Sequence, residues 1–326
     1  MPEEEELQEA MAKLKQVREQ VGTVIVGQTK LIDDLLIILL ADGHAILEGV
    51  PGIAKTLAAN TFSQVLQLDF KRIQFTPDLL PSDLIGTQVY NAQESNFYIQ
   101  KGPIFTNVVL ADEINRAPPK VQSALLEIMQ EKQVTIGGQT LKVQSPFLVL
   151  ATENPIEQEG TYPLPEAQTD RFMMKINIGY PTQDAEIEIV KRMARKSEDK
   201  PAIVKPVLTP EELVGLKNLL HSVYIDDKLL RYITDIIFAT RFPKEKGVDI
   251  EGLLDYGASP RASIYLTLCS KAHALLEGRG YVTPFDIREV AFSVLRHRLI
   301  LSYEAQAQEL TPDAIIARVF EKITVP

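Results

Sequence analysis

Tryptophan is absent from this 326-residue chain, cysteine occurs once and histidine only four times. These shortages exclude whole chemistries. Cys269 alone cannot close an internal disulfide, so stability must rest on packing, as in a reducing compartment such as the cytosol. His44, His221, His273 and His297 stand at least 24 residues apart, which leaves no His-Glu-x-x-His pair and no Cys/His cluster with metal-binding spacing. A basic excess is lacking too. The 34 Lys and Arg against 44 Asp and Glu give a net charge of −10, a field that does not gather phosphodiesters, and no basic patch offsets it. Nucleic acid is therefore not an expected partner. Nor is there a long apolar run: Leu35–Ala41 is hemmed in by Asp33, Asp34 and Asp42 and falls far short of the roughly 20 residues a membrane span requires. Met1-Pro2 followed by Glu3–Glu6 is the reverse of a basic export signal, so a cytoplasmic protein is expected.

What is present is apolar material enough for real cores: 45% of the residues are hydrophobic, and the length suggests two domains. Leu7, Met11, Leu14, Val17 and Val21 recur at steps of three and four, the stripe of a docked helix. Five short runs then alternate with helical or polar stretches: Ala45–Leu47, Lys71–Phe75, Asn107–Ala111, Phe147–Ala151 and Met173–Ile178. Bounded by Gly, Pro, Asp or Asn, they fit the buried strands of a parallel sheet covered by helices. Gly137-Gly138 predicts a hairpin turn within Val134–Leu141, and Asn91–Asn96 interrupts a second alternating segment, Thr87–Tyr98. After Tyr180-Pro181, helix punctuation takes over. Thr209-Pro210, Thr283-Pro284 and Thr311-Pro312 each place a hydroxyl at an N-cap and Pro at the first helical position. The expected division is an α/β core over 1–180 and a smaller, all-helical domain over 181–326, with a polar loop at Arg195–Lys200.

Gly49-Val50-Pro51-Gly52-Ile53-Ala54-Lys55-Thr56 follows the first strand and precedes a helix-prone run that opens with Leu57. This is the context of a phosphate cradle: N–H groups aimed inward at a helix N-terminus, a lysine for the β and γ phosphates, and a hydroxyl for magnesium. Ala54 replaces the last glycine of that pattern, which is harmless if it already enters the helix. Fifty-seven residues after Lys55, the third run ends in Asp112-Glu113, where neighbouring carboxylates can divide their labour. Asp112 can hold magnesium while Glu113 faces a water above the γ-phosphate. The fourth run ends in Glu153-Asn154-Pro155, where an amide can orient that water, although Asn before Pro also suits a plain turn.

Together, Gly49–Thr56, Leu110–Pro119, Ala151–Pro155, Pro165–Phe172 and Ser259–Ala262 resemble the motif series of the MoxR family of AAA+ ATPases, in order and over nearly the whole chain. The resemblance implies an AAA+ P-loop core with a five-stranded parallel sheet and a helical lid. It implies Lys55 and Thr56 as Walker A, Asp112 and Glu113 as Walker B, Asn154 as sensor 1, Arg171 as an arginine finger for a neighbour's ATP and Arg261 as sensor 2. Val26, Gly27 and Gln28 would line the adenine pocket, and the two hairpins would be insertions facing the ring axis or a client. ATP and Mg2+ are the implied cofactors. A ring of identical subunits, six in number, would act as a chaperone on client complexes, often with a partner bearing a von Willebrand factor A domain.

Other readings stay open at this point. Arg171 beside Asp170 also suits an ordinary surface ion pair, Arg261 after Pro260 a helix start, and Arg116 a subunit seam. A DNA-acting AAA+ motor and a nucleotide-gated scaffold without turnover are the alternatives to a remodeller. Glu113 argues against the scaffold, and hairpin Gln133–Val143, with only Lys132 and Lys142 as nearby cations, argues against the motor.

Overall fold

The five apolar runs become five mutually parallel strands. The computed structural model describes residues 4–50, 52–154, 160–194 and 204–326; Pro51, Pro155 and the expected loop Arg195–Lys200 lie outside the described residues. The chain runs through α1 (Glu4–Gly22), α2 (Thr29–Leu40), β1 (Ala45–Glu48), α3 (Lys55–Val65), β2 (Phe70–Gln74), α4 (Pro81–Ile85), β3 (Gly86–Asn91), β4 (Asn96–Lys101) and β5 (Val108–Asp112). It continues with α5 (Pro119–Glu131), β6 (Gln133–Ile136), β7 (Gln139–Lys142), β8 (Leu148–Glu153), α6 (Glu166–Thr169) and β9 (Met174–Asn177). The remainder comprises α7 (Gln183–Met193), α8 (Pro210–Ser222), α9 (Asp227–Arg241), α10 (Pro243–Lys246), β10 (Leu254–Tyr256), α11 (Pro260–Leu276), α12 (Pro284–Leu295), β11 (Ile300–Leu301), α13 (Tyr303–Ala307) and α14 (Pro312–Lys322).

The sheet order is β2-β5-β8-β1-β9, so the carboxyl ends of all five strands share one edge. Inner strands are buried on both faces, as helices on either side require. Alternation sorts their side chains. Val108 and Leu110 of β5 enter a core that continues through α1, α2 and α3 into α8, α9, α11, α12 and α14, whereas Val109 and Ala111 enter a second core beneath α5 and β6. All five parallel strands precede residue 180, and the helices that follow pack back onto α1, α2 and β9.

Both hairpins form. Gly137 and Gly138, at φ +55° and +83°, make the turn between β6 and β7, and β3–β4 carries the exposed rings of Tyr90, Phe97 and Tyr98. The Thr-Pro caps also form, each in its own way. Thr209 and Glu212 make a reciprocal capping box, with Glu212 N–H donating to the Thr209 hydroxyl at 3.3 Å and Thr209 N–H to the carboxylate at 2.9 Å. At Thr283 both the N–H and the hydroxyl donate to buried Asp286 at 2.7 Å, because that carboxylate is already anchored by Arg279 and His273. Thr311 accepts from Ala314 N–H at 3.2 Å. One feature adds to the helical pattern after 181: β10 and β11 pair antiparallel, in pieces of three and two residues too short to leave a periodic signal. Among the described residues no helix is long and apolar enough to cross a membrane.

Candidate functional site

The phosphate loop leaves β1 between β8 and β9, where the strand order reverses and open α/β sheets bind ligands. Lys55 is the first residue of α3, and its ammonium turns back to the carbonyls of Gly49 at 2.6 Å and Glu153 at 3.3 Å. Burial pulls it below the usual lysine range against the opposing charges of Asp112, Glu113 and Glu48. Ala54 does not enter the helix, the condition under which its standing for glycine would be harmless. It caps α3 in the left-handed conformation at φ +63°, a strain of about 1 kcal/mol that the loop must override.

Asp112 closes β5, and both of its oxygens are engaged. Oδ1 accepts from the Thr152 hydroxyl at 2.6 Å; Oδ2 accepts from Arg72 Nε at 2.9 Å and Nη2 at 2.6 Å. Glu113 then sits at φ +56°, so the two carboxylates diverge through a left-handed turn rather than through strand alternation. Its Oε2 accepts from Gln74 Nε2 at 2.8 Å and lies 3.2 Å from Arg116 Nε. Its backbone N–H donates to the Thr152 hydroxyl at 2.8 Å, which makes Thr152 the hinge pin between the two acids. Asn154 follows directly on β8.

Lys55, Thr56, Asp112, Glu113 and Asn154 line one cavity of about 460 Å³, together with Gly52, Ala54, Arg72 and Thr152. Through Gly52, Ala54 and Leu57 it adjoins a second, mostly apolar cavity of about 370 Å³ walled by Val24, Ile25, Val26, Gln28, Ile53, Tyr180, Pro181, Ile189 and one carboxylate, Glu186. A cationic, acid-bearing chamber that continues into an apolar one matches a polyphosphate joined to a planar base. The Thr56 hydroxyl and Asp112 carboxylate are hard oxygen donors that suit magnesium, which takes few protein ligands and completes its shell with phosphate and water. Gly49 and half-buried Val50 lead from β1 into the loop. Gly27 serves differently from its neighbours. At φ +75°, a Cβ there would stand 2.7 Å from that of Ala185, so only glycine lets α7 close over this chamber. Gln28 braces the same wall by donating to the Gly179 carbonyl at 3.1 Å.

Arg171 and Arg261 line neither cavity. They are neighbours of each other instead. Arg261 Nη1 lies 3.5 Å from Asp170 Oδ2, and the Tyr265 hydroxyl, one helical turn on, donates to the Arg171 carbonyl at 3.4 Å. Asp170 is further held by Ser259 and Arg298. Arg171 reaches the Leu126 carbonyl at 3.4 Å rather than Asp170. Three residues of the site escaped sequence reasoning: Arg72, Gln74 and Thr152. The only trace of the first two was polar alternation on β2, an edge strand, and Thr152 carried the weaker signal of standing two places before Asn154.

A family model described as the ATPase family associated with various cellular activities (AAA) matches residues 44–174, and one described as the AAA lid domain matches residues 249–319. The chain is 49% identical over 308 residues to a Mycobacterium tuberculosis protein named Chaperone MoxR1, covering 94% of this chain and 81% of that one. It is 33% identical over 333 residues to Protein MoxR of Paracoccus denitrificans, with 97% of each covered. A crystal structure of a candidate ATPase from Cytophaga hutchinsonii matches at a TM-score of 0.93 and 50% identity, covering 99% of this chain and 98% of that one. Strand order, phosphate loop and full-length similarity agree, and the chain belongs to the MoxR family of AAA+ ATPases.

Proposed function

We propose that this protein binds Mg·ATP across the two adjoining cavities, hydrolyses it at the seams of a cytoplasmic ring of six identical subunits, and uses the turnover to remodel client protein complexes. The observation that carries this reading is the convergence of Lys55, Asp112, Glu113 and Asn154 on one chamber beside an apolar one. Lys55 would hold the β and γ phosphates, Thr56 and Asp112 the metal, and Val26, Gly27, Gln28 and Leu57 the base side. Magnesium, when bound, would neutralise charge on the phosphate oxygens. Glu113 would accept a proton from the attacking water, with Asn154 orienting it. Arg171 and Arg261, which line neither chamber of their own subunit, would serve the neighbour's. The chaperone role draws on the name of the mycobacterial relative, and a von Willebrand factor A partner on the family resemblance.

Two variants test the core of this reading. Lys55→Ala should abolish nucleotide binding in calorimetry, because the ammonium is the main point charge on the phosphates. Glu113→Gln should keep binding and lose turnover by about 10²–10⁴-fold in phosphate release, since the amide cannot accept a proton. If binding in Glu113→Gln weakens as severely as in Lys55→Ala, the division of roles is wrong.

A further inference from the structure

We propose that Arg298 is a positioning residue for Arg171: it fixes the backbone on both sides of that arginine, so the helical region of one subunit carries the finger presented to the next. The proposal rests on the reading of Arg171 as acting on a neighbour's nucleotide, and adds what holds it in place.

Arg298 lies between α12 and β11, with only 1% of its side chain exposed. A guanidinium so buried must engage its donors, because an unpaired charge out of water is strongly disfavoured. Nη1 meets the Val294 carbonyl and, at 2.7 Å, His297 Nε2, while the remaining hydrogen bonds turn to one short segment. Nε donates to Asp170 Oδ1 at 2.9 Å, Nη2 to the carbonyls of Asp170 at 2.9 Å and Phe172 at 2.5 Å, and Nη1 to that of Met173 at 3.2 Å. The carbonyls before and after Arg171 thus share one donor nitrogen, and that of Phe172 also meets His297 Nε2 at 3.0 Å. Between them, the Arg171 carbonyl accepts from Tyr265, whose ring also stacks 5.1 Å from the Arg298 guanidinium. Three consecutive carbonyls are therefore held by residues of the helical region.

The side chain of Arg171 is treated in the opposite way. Among the described residues its side chain makes one hydrogen bond, to the Leu126 carbonyl, long at 3.4 Å, and its buried Nε has no partner. A backbone clamped at three points beneath an under-satisfied guanidinium is what a group needs when its acceptor arrives from outside. An ammonium could not replace this clamp, because only a planar fork reaches a carboxylate and three carbonyls from one position.

The test uses full-length, assembled protein. Arg298→Lys keeps a cation near Asp170 but cannot hold both flanking carbonyls. It should retain ATP affinity within about twofold by calorimetry, while kcat falls by about 10–100-fold, the usual consequence of a misplaced group. A mere staple between helices would not produce the second result, which is a pattern of complementation. Arg298→Lys mixed with Lys55→Ala should regain activity at seams where each supplies what the other lacks, whereas Arg298→Lys mixed with Arg171→Ala should regain none. Recovery in the latter mixture, or a loss of affinity matching the loss of turnover, overturns the proposal. If Arg298→Lys does not fold, Asp170→Asn, which preserves shape and removes the charge, should give the same pattern, and a different pattern there overturns the proposal equally. The mixture of Lys55→Ala with Arg171→Ala is the control. Silence in it removes the finger reading itself, whereas recovery in it with a failed Arg298 pattern removes only the positioning role.

Discussion

Thr152 Oγ donates to Asp112 Oδ1 at 2.6 Å and accepts from the backbone N–H of Glu113 at 2.8 Å. One buried hydroxyl thereby sets the spacing between the acid proposed to hold magnesium and the acid proposed to activate water. Thr152→Val keeps the volume but strands a carboxylate oxygen and an N–H, at a cost of about 1–3 kcal/mol each when left unpaired. It should lower turnover by at least about tenfold. Thr152→Ser restores the hydroxyl and should recover most of the activity. Phosphate release from the three proteins checks this, and equal rates would mean that the spacing does not matter.

Glu113 starts with one oxygen occupied, since Gln74 Nε2 donates to its Oε2 at 2.8 Å. If Glu113 is the base we propose, it must give up that bond, or reorient it, before it takes a proton. Gln74→Leu removes the donor without touching the phosphate loop. Basal hydrolysis should rise a few-fold with nucleotide affinity unchanged by calorimetry. A fall in hydrolysis would mean that Gln74 aims the carboxylate rather than restrains it.

The sheet is legible in the sequence because buried parallel strands need near-continuous apolar runs, and the candidate loop stands out because a phosphate cradle would need specific residues in fixed order. Arg298 is not. It stands in Arg296-His297-Arg298, which reads as any basic turn, and its acceptors Asp170, Phe172 and Met173 lie some 125 residues away, so only the fold can pair them. Arg72 and Gln74 are hidden for a related reason. β2 is an edge strand whose polar residues look solvated until β5 brings Asp112 beside Gln74. Ala54 misleads because local propensity disfavours its left-handed backbone, and the loop imposes it.

His44 gives a stability prediction with a defined sign. Nδ1 accepts from Val149 N–H at 3.0 Å and Nε2 donates to the Met129 carbonyl at 3.2 Å, so the ring must be neutral; burial pushes its pKa down from 6.5 to about 4. Between those values the unfolded chain binds the proton and the folded one does not, so stability falls as pH falls from 6.5 toward 4. The shift corresponds to on the order of 3 kcal/mol. His44→Gln should be less stable than the parent at pH 7.5, and denaturant titrations should find that gap narrowing on acidification. A gap independent of pH would contradict the neutral ring.

Asp34 should behave in the opposite sense. It lies in α2 at 2% exposure, its Oδ2 has no hydrogen-bond partner, and Lys30 approaches Oδ1 only to 3.6 Å. Burial raises its pKa from 3.8 to about 6, with Lys30 and Arg296 only partly compensating. Here the folded state binds the proton first, so its stabilising share is fully present below pH 3.8 and is lost as pH rises to about 6. Above that, the buried carboxylate costs on the order of 2–3 kcal/mol. Asp34→Asn removes the charge and keeps the shape, at the expense of a weak pair with Lys30, itself worth less than about 1 kcal/mol because its ammonium is largely in water. The variant should therefore be more stable than the parent at pH 8, by about 1–2 kcal/mol in denaturant titrations, and the advantage should shrink toward zero near pH 4. The test needs the variant because His44 and Asp34 titrate in overlapping windows with opposite signs, which flattens the acid profile of the parent and conceals both. An Asp34→Asn protein no more stable than the parent at pH 8 would mean that the carboxylate finds solvent or a partner in the folded chain.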